Sequence, residues 1–303
     1  MLTAEPKKVE VTKWRKNALS SGVVMLVLTV LILCVTWNAV NSLVSHVQLP
    51  KVSLFRDMYE KVLKSIEAVE GASVRRIEID GRYGGDKAGV TGKLGPGTKQ
   101  IEIQFVTESH SSEHLEYARM VSFCGGGYDV FNLLLMPKIE RNLPIFGADV
   151  VCLPGGALAA VDFQPARESD GSDYYQSSLY TDFAESIGKV KSKLPSGGDL
   201  PPAAQRYFSP YALWTRTPPL AKGDDDLELL TNSVLDSLKV YLDLIKNPQA
   251  SKSVNFVSPQ SHFLQEYLQY RIENDPAKRL LMGAFGEQWT DEVIKTVLFP
   301  NPY

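Results

Sequence analysis

Between residues 101 and 165 the chain places five apolar, β-prone segments one after another with only short turns between them. They are IEIQFVT (101–107), LEYARMVSF (115–123), YDVFNLLLMP (128–137), ADVVCLP (148–154) and ALAAVDFQP (157–165). Connections this short force antiparallel neighbours, because parallel pairing needs a long crossover. The block is preceded by FRDMYEKVLKSIEAVE (55–70), which has helical spacing, and SVRRIEID (73–80), which alternates as a strand does. It is followed by helix-periodic stretches at 177–194, 226–245 and 262–275 and near TDEVIKTVLF (290–299), where Thr290 reads as an N-cap. Strands in a block with helices on both sides predict an α+β fold, a three-layer α/β/α sandwich around a central antiparallel sheet.

The N-terminal part has a different character. From Asn17 to Pro50 there is no Asp, Glu, Lys or Arg, and residues 19–40 are long and apolar enough to span a bilayer. Lys7, Lys8, Lys13, Arg15 and Lys16 precede that run and would hold the N-terminus on the cytosolic side of an inserted helix. The sequence therefore divides into residues 1–50, a basic segment with a transmembrane anchor or a cleaved targeting leader, and a domain at 51–303. A net charge of −3 without a clustered basic excess argues against a nucleic-acid surface.

Familiar chemical motifs are not met. Three cysteines are too few and too scattered for a disulfide framework or a zinc site. His110 and His114, in SHSSEHLE, are spaced i,i+4 but read as a solvated loop between strands rather than a metal centre. GGDKAGVTGKL (84–94) fails the phosphate-loop pattern, since Lys87 and Leu94 stand where Gly and Ser or Thr are required. It reads as a turn, as does CGGG (124–127). No GxSxG elbow is present.

Carboxylates carry more information. Asp149 stands alone in the apolar passage LPIFGADVVCLPGGALAAV, where an unpaired buried charge is costly and tends to take up a proton. A strand-edge carboxylate held by backbone N–H groups is the alternative. Asp275 follows Arg271 by one helical turn in QYRIENDPAKRL, and Pro276 kinks or stops the helix there. Such a bend either aims both side chains into a cleft or leaves a surface ion pair at a helix end. Asn132 is a polar residue in an apolar strand, and Asp162 reads as a solvated acid near the end of the next one.

LPIFGADVVCLPGGALAAVDFQP (143–165), LPSGGDLPPAAQRYFSPYALWTR (194–216), YLQYRIENDPAKRLLMGAFGEQWT (267–290) and VLF (297–299) resemble, in order, the ferredoxin-dependent bilin reductases. The resemblance runs from about Tyr117 to Phe299 and implies the same α/β/α sandwich. It further implies two-electron reduction of a linear tetrapyrrole, with single electrons from a [2Fe–2S] ferredoxin, radical intermediates, and no flavin or metal held by the protein. The family's two proton-donating aspartates fall on Asp149 and Asp275, with Arg271 matching the arginine that supports the second.

Family members that form phycocyanobilin carry a histidine where Asn132 stands, paired with an upstream acid. Here that region reads RMVSF, with Met120 at the position assigned to the acid. The branch implied instead converts 15,16-dihydrobiliverdin to phycoerythrobilin. Reduction of biliverdin to phytochromobilin or 15,16-dihydrobiliverdin, or a non-catalytic bilin carrier, are the alternatives. Ferredoxin would be one partner and an upstream bilin reductase, handing over substrate, another. Ferredoxins are acidic, which makes Lys189, Lys191 and Lys193, or Lys278 and Arg279, candidate docking residues. The expected location is an algal plastid, with residues 19–40 anchoring the enzyme to a membrane or removed to leave it in the stroma.

Overall fold

Two-residue turns set the topology. The structure, a computed structural model, describes residues 53–85, 89–95, 100–166, 175, 178–247 and 260–302. These residues all belong to one compact unit. Strand β4 (Leu115–Gly125) turns into β5 (Tyr128–Pro137) through Gly126 and Gly127, at φ 58° and 88°. Two consecutive left-handed residues suit a tight hairpin whose twist matches the strands, so CGGG is a turn as expected. β6 (Ile145–Leu153) returns through Pro154 and Gly155 into β7 (Gly156–Gln164). With β1 (Arg75–Ile77), β3 (Ile101–Ser111) and β8 (Leu213–Thr217) they form one antiparallel sheet in the order β1-β3-β4-β5-β6-β7-β8. β2 (Val90–Leu94) also pairs with β3.

Alternation along the strands sends side chains to two separate cores. Phe131, Leu133, Phe146, Ala148, Val150 and Phe163 pack on one face with helices α1 (Arg56–Glu70), α2 (Ser178–Lys191) and α4 (Asp225–Lys246). Tyr117, Val121, Phe123, Leu134, Met136 and Ile145 face the other way, onto α5 (Gln260–Asn274), α6 (Lys278–Phe285) and α7 (Glu287–Val293). The short helix α3 (Pro202–Gln205) lies in the connection before β8. Helix, sheet, helix is the predicted layering, and the period-2 pattern produces it because each strand has an apolar partner on both sides.

Four sequence-based expectations change. The stretch 84–94 contains a strand, β2, and Gly92 permits it: a Cβ there would lie 2.5 Å from the Ala284 carbonyl and 2.6 Å from the Phe285 ring of α6. β8, inside the LWTRT passage, went unread because a five-residue edge strand shows little period. Thr290 is not an N-cap. It is buried inside α7, its hydroxyl donating to the Gly286 carbonyl at 2.8 Å, because Gly286 at φ 90° separates α6 from α7. The chain then continues from α7 into a π-helical turn, Ile294–Leu298. SHSSEHLE is not a solvated loop either: His110 lies in β3, buried, with Nε2 3.2 Å from Glu108 Oε1, and His114 Nδ1 sits 3.1 Å from a Glu70 carboxylate oxygen.

Among the described residues no helix is long and apolar enough to cross a membrane. Residues 19–40 and the boundary at 50/51 lie outside the described residues.

Phe163 is fully buried, stacked on Phe183 with ring centroids 4.1 Å apart and edge-on to Tyr241 at 5.3 Å. Phe163→Ala leaves a cavity that these neighbours on two helices fill only in part, so unfolding in urea should show a loss of about 3–5 kcal/mol. A loss under about 1 kcal/mol would mean that this face is not packed as described.

Candidate active site

The pairing of β5 with β6 sets Asn132 directly opposite Asp149. Both lie on the α5–α7 side of the sheet, as the alternation requires, since Phe131, Leu133, Ala148 and Val150 all go to the other core. At one end that side is closed: Leu134, Met136 and Ile145 are buried. At the other end Val130, Asn132, Gly147, Asp149, Val151, Leu158, Ala160 and Trp214 are each only partly buried. The result is a largely apolar face with one carboxylate near its middle, so Asp149 is neither on a strand edge nor in the sealed core. Two polar atoms here, Asn132 Oδ1 and Trp214 Nε1, are buried without a hydrogen-bond partner among the described residues. Unsatisfied buried polar atoms are costly and are met at sites that a ligand completes.

The helix layer supplies the second acid. α5 ends at Asn274 because Pro276 cannot continue it and disfavours helical geometry at Asp275. Asp275 is buried, with Oδ2 accepting from Arg271 at 3.1 Å and Oδ1 accepting the Ala277 N–H at 2.8 Å. The pair is therefore inside the protein rather than a surface ion pair. One turn earlier Tyr267 donates to Gln164 Oε1 of β7 at 2.6 Å, which fastens α5 to the sheet. The Arg271 guanidinium also lies over the Phe299 ring, 4.5 Å from its centroid.

Burial pushes the Asp149 carboxyl above the ordinary carboxylate range, and the negative charge of Asp275 adds to this. Hydrogen bonding from Asn132 and the Arg271 and Arg119 charges oppose it. Burial works against the charge of Arg271, but Tyr267, Asp275 and Asp149 outweigh it and raise its pKa. Asp149, Asp275, Arg271 and Arg119 thus act on one another in one electrostatic cluster. An acid that holds its proton beside a fixed cation is competent to give that proton to a bound molecule.

Two readings need correction. Asp162 is not solvated: it is 1% exposed, and the Ser209 N–H and Oγ–H both donate to its carboxylate. Burial pushes it up to about 7 despite those bonds. The partner is 47 residues away, beyond the reach of local pattern. Met120 is not beside Asn132, since it packs in the opposite core, and the register puts Val121 there instead. The neighbouring position still lacks an acid. The candidate docking cations stand among acids: Lys189 pairs with Glu185 at 3.2 Å, Lys189 and Lys193 line a groove shared with Asp182 and Asp236, and Lys278 pairs with Asp291 at 2.8 Å.

Arg119, Tyr267, Gln164 and Phe299 join this site without having been singled out in the sequence. Only Arg119, a cation inside an apolar strand, carried a local signal.

A model of the ferredoxin-dependent bilin reductase family matches residues 78–300. Phycoerythrobilin:ferredoxin oxidoreductase of Synechococcus sp. strain CC9902 is 36% identical over 216 residues, covering 68% of this chain and 80% of that protein. The protein of the same name from Synechococcus sp. strain WH8020 is 32% identical over 240 residues, covering 78% and 90%. In fold, the chain is similar to tomato phytochromobilin synthase, whose structure was solved with biliverdin, at a TM-score of 0.62 and 20% identity over 81% of this chain and 82% of that one. A mixed fold with an antiparallel sheet and a polar cluster on its open face thus coincides with a family of oxidoreductases. The chain belongs to the ferredoxin-dependent bilin reductases and is an oxidoreductase that acts on bilins with electrons from ferredoxin.

Asp162 yields a pH prediction. Its folded pKa, about 7, exceeds the unfolded carboxylate value of about 3.9. Its contribution is therefore fully present below about pH 4, is lost as pH rises through about 7, and changes little above that. Urea unfolding of Asp162→Asn across this range should show a shallower fall in stability with pH than the wild type. Parallel profiles would show that Asp162 does not titrate in this way.

Proposed function

We propose that this protein reduces 15,16-dihydrobiliverdin to phycoerythrobilin, taking two electrons singly from reduced ferredoxin and two protons through Asp149 and Asp275. The observation that carries the reading is the position of Asp149: a carboxyl with a raised pKa on an open apolar face, beside Asn132 and within the field of Arg271. A flat, largely apolar pigment fits such a face, and the sheet and helix layers would cover its two sides. The choice of substrate is supported by relatives that carry the phycoerythrobilin name and by an amide, not an imidazole, at position 132.

In this reading Asp149 protonates the bilin after the first electron arrives. Asn132 holds the Asp149 carboxyl in place through its hydrogen bond. Asp275 provides the second proton from the helix side, with Arg271 fixing its orientation and keeping it in the site until then. The expectation that the protein itself holds no flavin or metal belongs to the same proposal. So do a plastid location, attachment to a membrane through residues 19–40, or removal of that segment, and handover of substrate from an upstream bilin reductase. Because Lys189 and Lys193 share their surface with acids, Arg279, exposed beside the Lys278–Asp291 pair, is the better part of the proposed docking surface.

The deciding experiment incubates the full chain anaerobically with a ferredoxin-reducing system and either 15,16-dihydrobiliverdin or biliverdin, with products separated by chromatography. Conversion of the dihydro compound alone to phycoerythrobilin is the expected result. Turnover of biliverdin would transfer the reading to another branch of the family, and binding without turnover of either would make the protein a bilin carrier.

Asp149→Asn should bind bilin and accumulate a radical that fails to proceed, with turnover lower by on the order of 100-fold, the range that general acids supply. Asp275→Asn should stop at a later step or change the product. A variant with wild-type rate and product would remove that residue from the mechanism.

A further inference from the structure

Arg119 is among the most deeply buried side chains of the protein, 2% exposed, and it comes from β4 onto the same sheet face as Asn132 and Asp149. Its Nε has no hydrogen-bond partner among the described residues. Its guanidinium lies over the Phe299 ring at 5.6 Å from the centroid, and Arg271 lies over the same ring at 4.5 Å. Two guanidinium groups thus share one aromatic neighbour, and among the described residues only Arg271 of the two is in an ion pair. Burial lowers the pKa of Arg119, and the charge of Arg271 adds to this, while Tyr117, Asp275 and Asp149 oppose it. Isolated buried cations are costly, and a hydrophobic residue of similar volume would serve packing better. A cation retained on these terms has its partner elsewhere, in a charge that arrives.

We infer that Arg119 is a positioning residue of the reductive step: its uncompensated charge, with Arg271 beside it, makes the open face of the sheet ready to accept an electron on a bound bilin. This rests on the reading of the site as a bilin reductase. The placement of the two cations supports it. Arg271 is paired with Asp275, whereas Arg119 is in no ion pair among the described residues. Reduced ferredoxin gives up one electron and the bilin takes it, so ferredoxin is oxidised by one electron and the added negative charge arrives beside a cation already in place. In a low-dielectric interior a charge gained without such a cation is far more costly. Phe299 fits the role as well, because its π face accommodates guanidinium groups without neutralising them.

The test compares Arg119→Met, which removes the charge and keeps much of the volume, with Arg119→Lys, which keeps the charge. Bilin binding is followed by absorbance titration of the full chain, and the first reduction by rapid mixing with reduced ferredoxin, with the radical detected by electron paramagnetic resonance. Arg119→Met should still bind bilin but accept the first electron about tenfold more slowly or worse, as expected for one charge removed from a partly screened site, while Arg119→Lys recovers most of the rate. Arg119→Gln provides the same comparison should the Met variant not fold.

The proposal is overturned if a neutral variant is reduced at the wild-type rate, or if the Lys variant is as slow as the neutral ones with binding intact. It also fails if neither neutral variant folds, since the charge would then serve the fold rather than the reaction. A wild-type chain that binds bilin but never reduces it overturns the assigned function, and this proposal with it. A wild-type chain that reduces bilin no faster than Arg119→Met overturns only the role of Arg119.

Discussion

The register between β5 and β6 decides where every polar group of the site points. Pairing Asn132 with Asp149 puts both on the helix α5 side and sends Phe131, Leu133, Ala148 and Val150 into the opposite core. A slip of one residue would reverse this, exposing the apolar set and burying the carboxylate against α1, α2 and α4. The hydrophobic cost of such a slip is many times larger than anything the site itself contributes. The core therefore holds the acid in place, although the acid adds nothing to the core. The same logic extends to β4, where Tyr117, Arg119 and Val121 fall on the site face because Ala118 and Met120 are claimed by the other side.

The helix layer completes the cluster through a chain of local causes. Pro276 ends α5, the free backbone there lets Asp275 turn inward, and Arg271 one turn earlier comes within 3.1 Å of it. Tyr267, another turn back, fixes the helix to β7 through Gln164. Two successive turns of one helix and the residue just past its end thus carry an anchor, a cation and an acid. Phe299, just after the π-helical turn, returns the chain beneath both guanidinium groups.

How much of this could be read in advance depended on distance along the chain. The strand block, the α5 stop at Pro276, the odd carboxylate at Asp149 and the lone amide at Asn132 are local signals, so the sandwich and four residues of the candidate site, Asn132, Asp149, Arg271 and Asp275, were visible in the sequence. β2 and β8 were not, since each is five residues long and β2 depends on Gly92 letting α6 approach. Asp162 was misjudged because the side chain that hydrogen-bonds it, Ser209, comes from a loop 47 residues away. Arg119 was passed over because a cation among apolar residues reads as a solvent-facing position until Phe299, 180 positions later, is folded against it. Met120 took the acid's position through the resemblance of RMVSF to the family, whereas sheet register sets Val121 opposite Asn132.

A raised pKa does not by itself mark an acid as functional, and this protein offers its own controls. Asp129 is pushed up to about 6 and Asp162 to about 7, both mainly by burial. Yet each is held by donors that tie chain segments together: the Leu54 N–H and Ser53 hydroxyl in one case, the Ser209 N–H and hydroxyl in the other. Those carboxyl groups are spent on the fold, and removing them would loosen a loop. Asp149 differs in what surrounds it. Its hydrogen-bonding neighbour is a side-chain amide that itself has an unsatisfied oxygen, and its open side faces apolar surface and two buried cations rather than backbone donors. A carboxyl in such a place gains little by staying and loses little by giving up its proton to a molecule laid against it. That balance, more than the direction of its pKa, separates Asp149 from the other buried acids of the sheet.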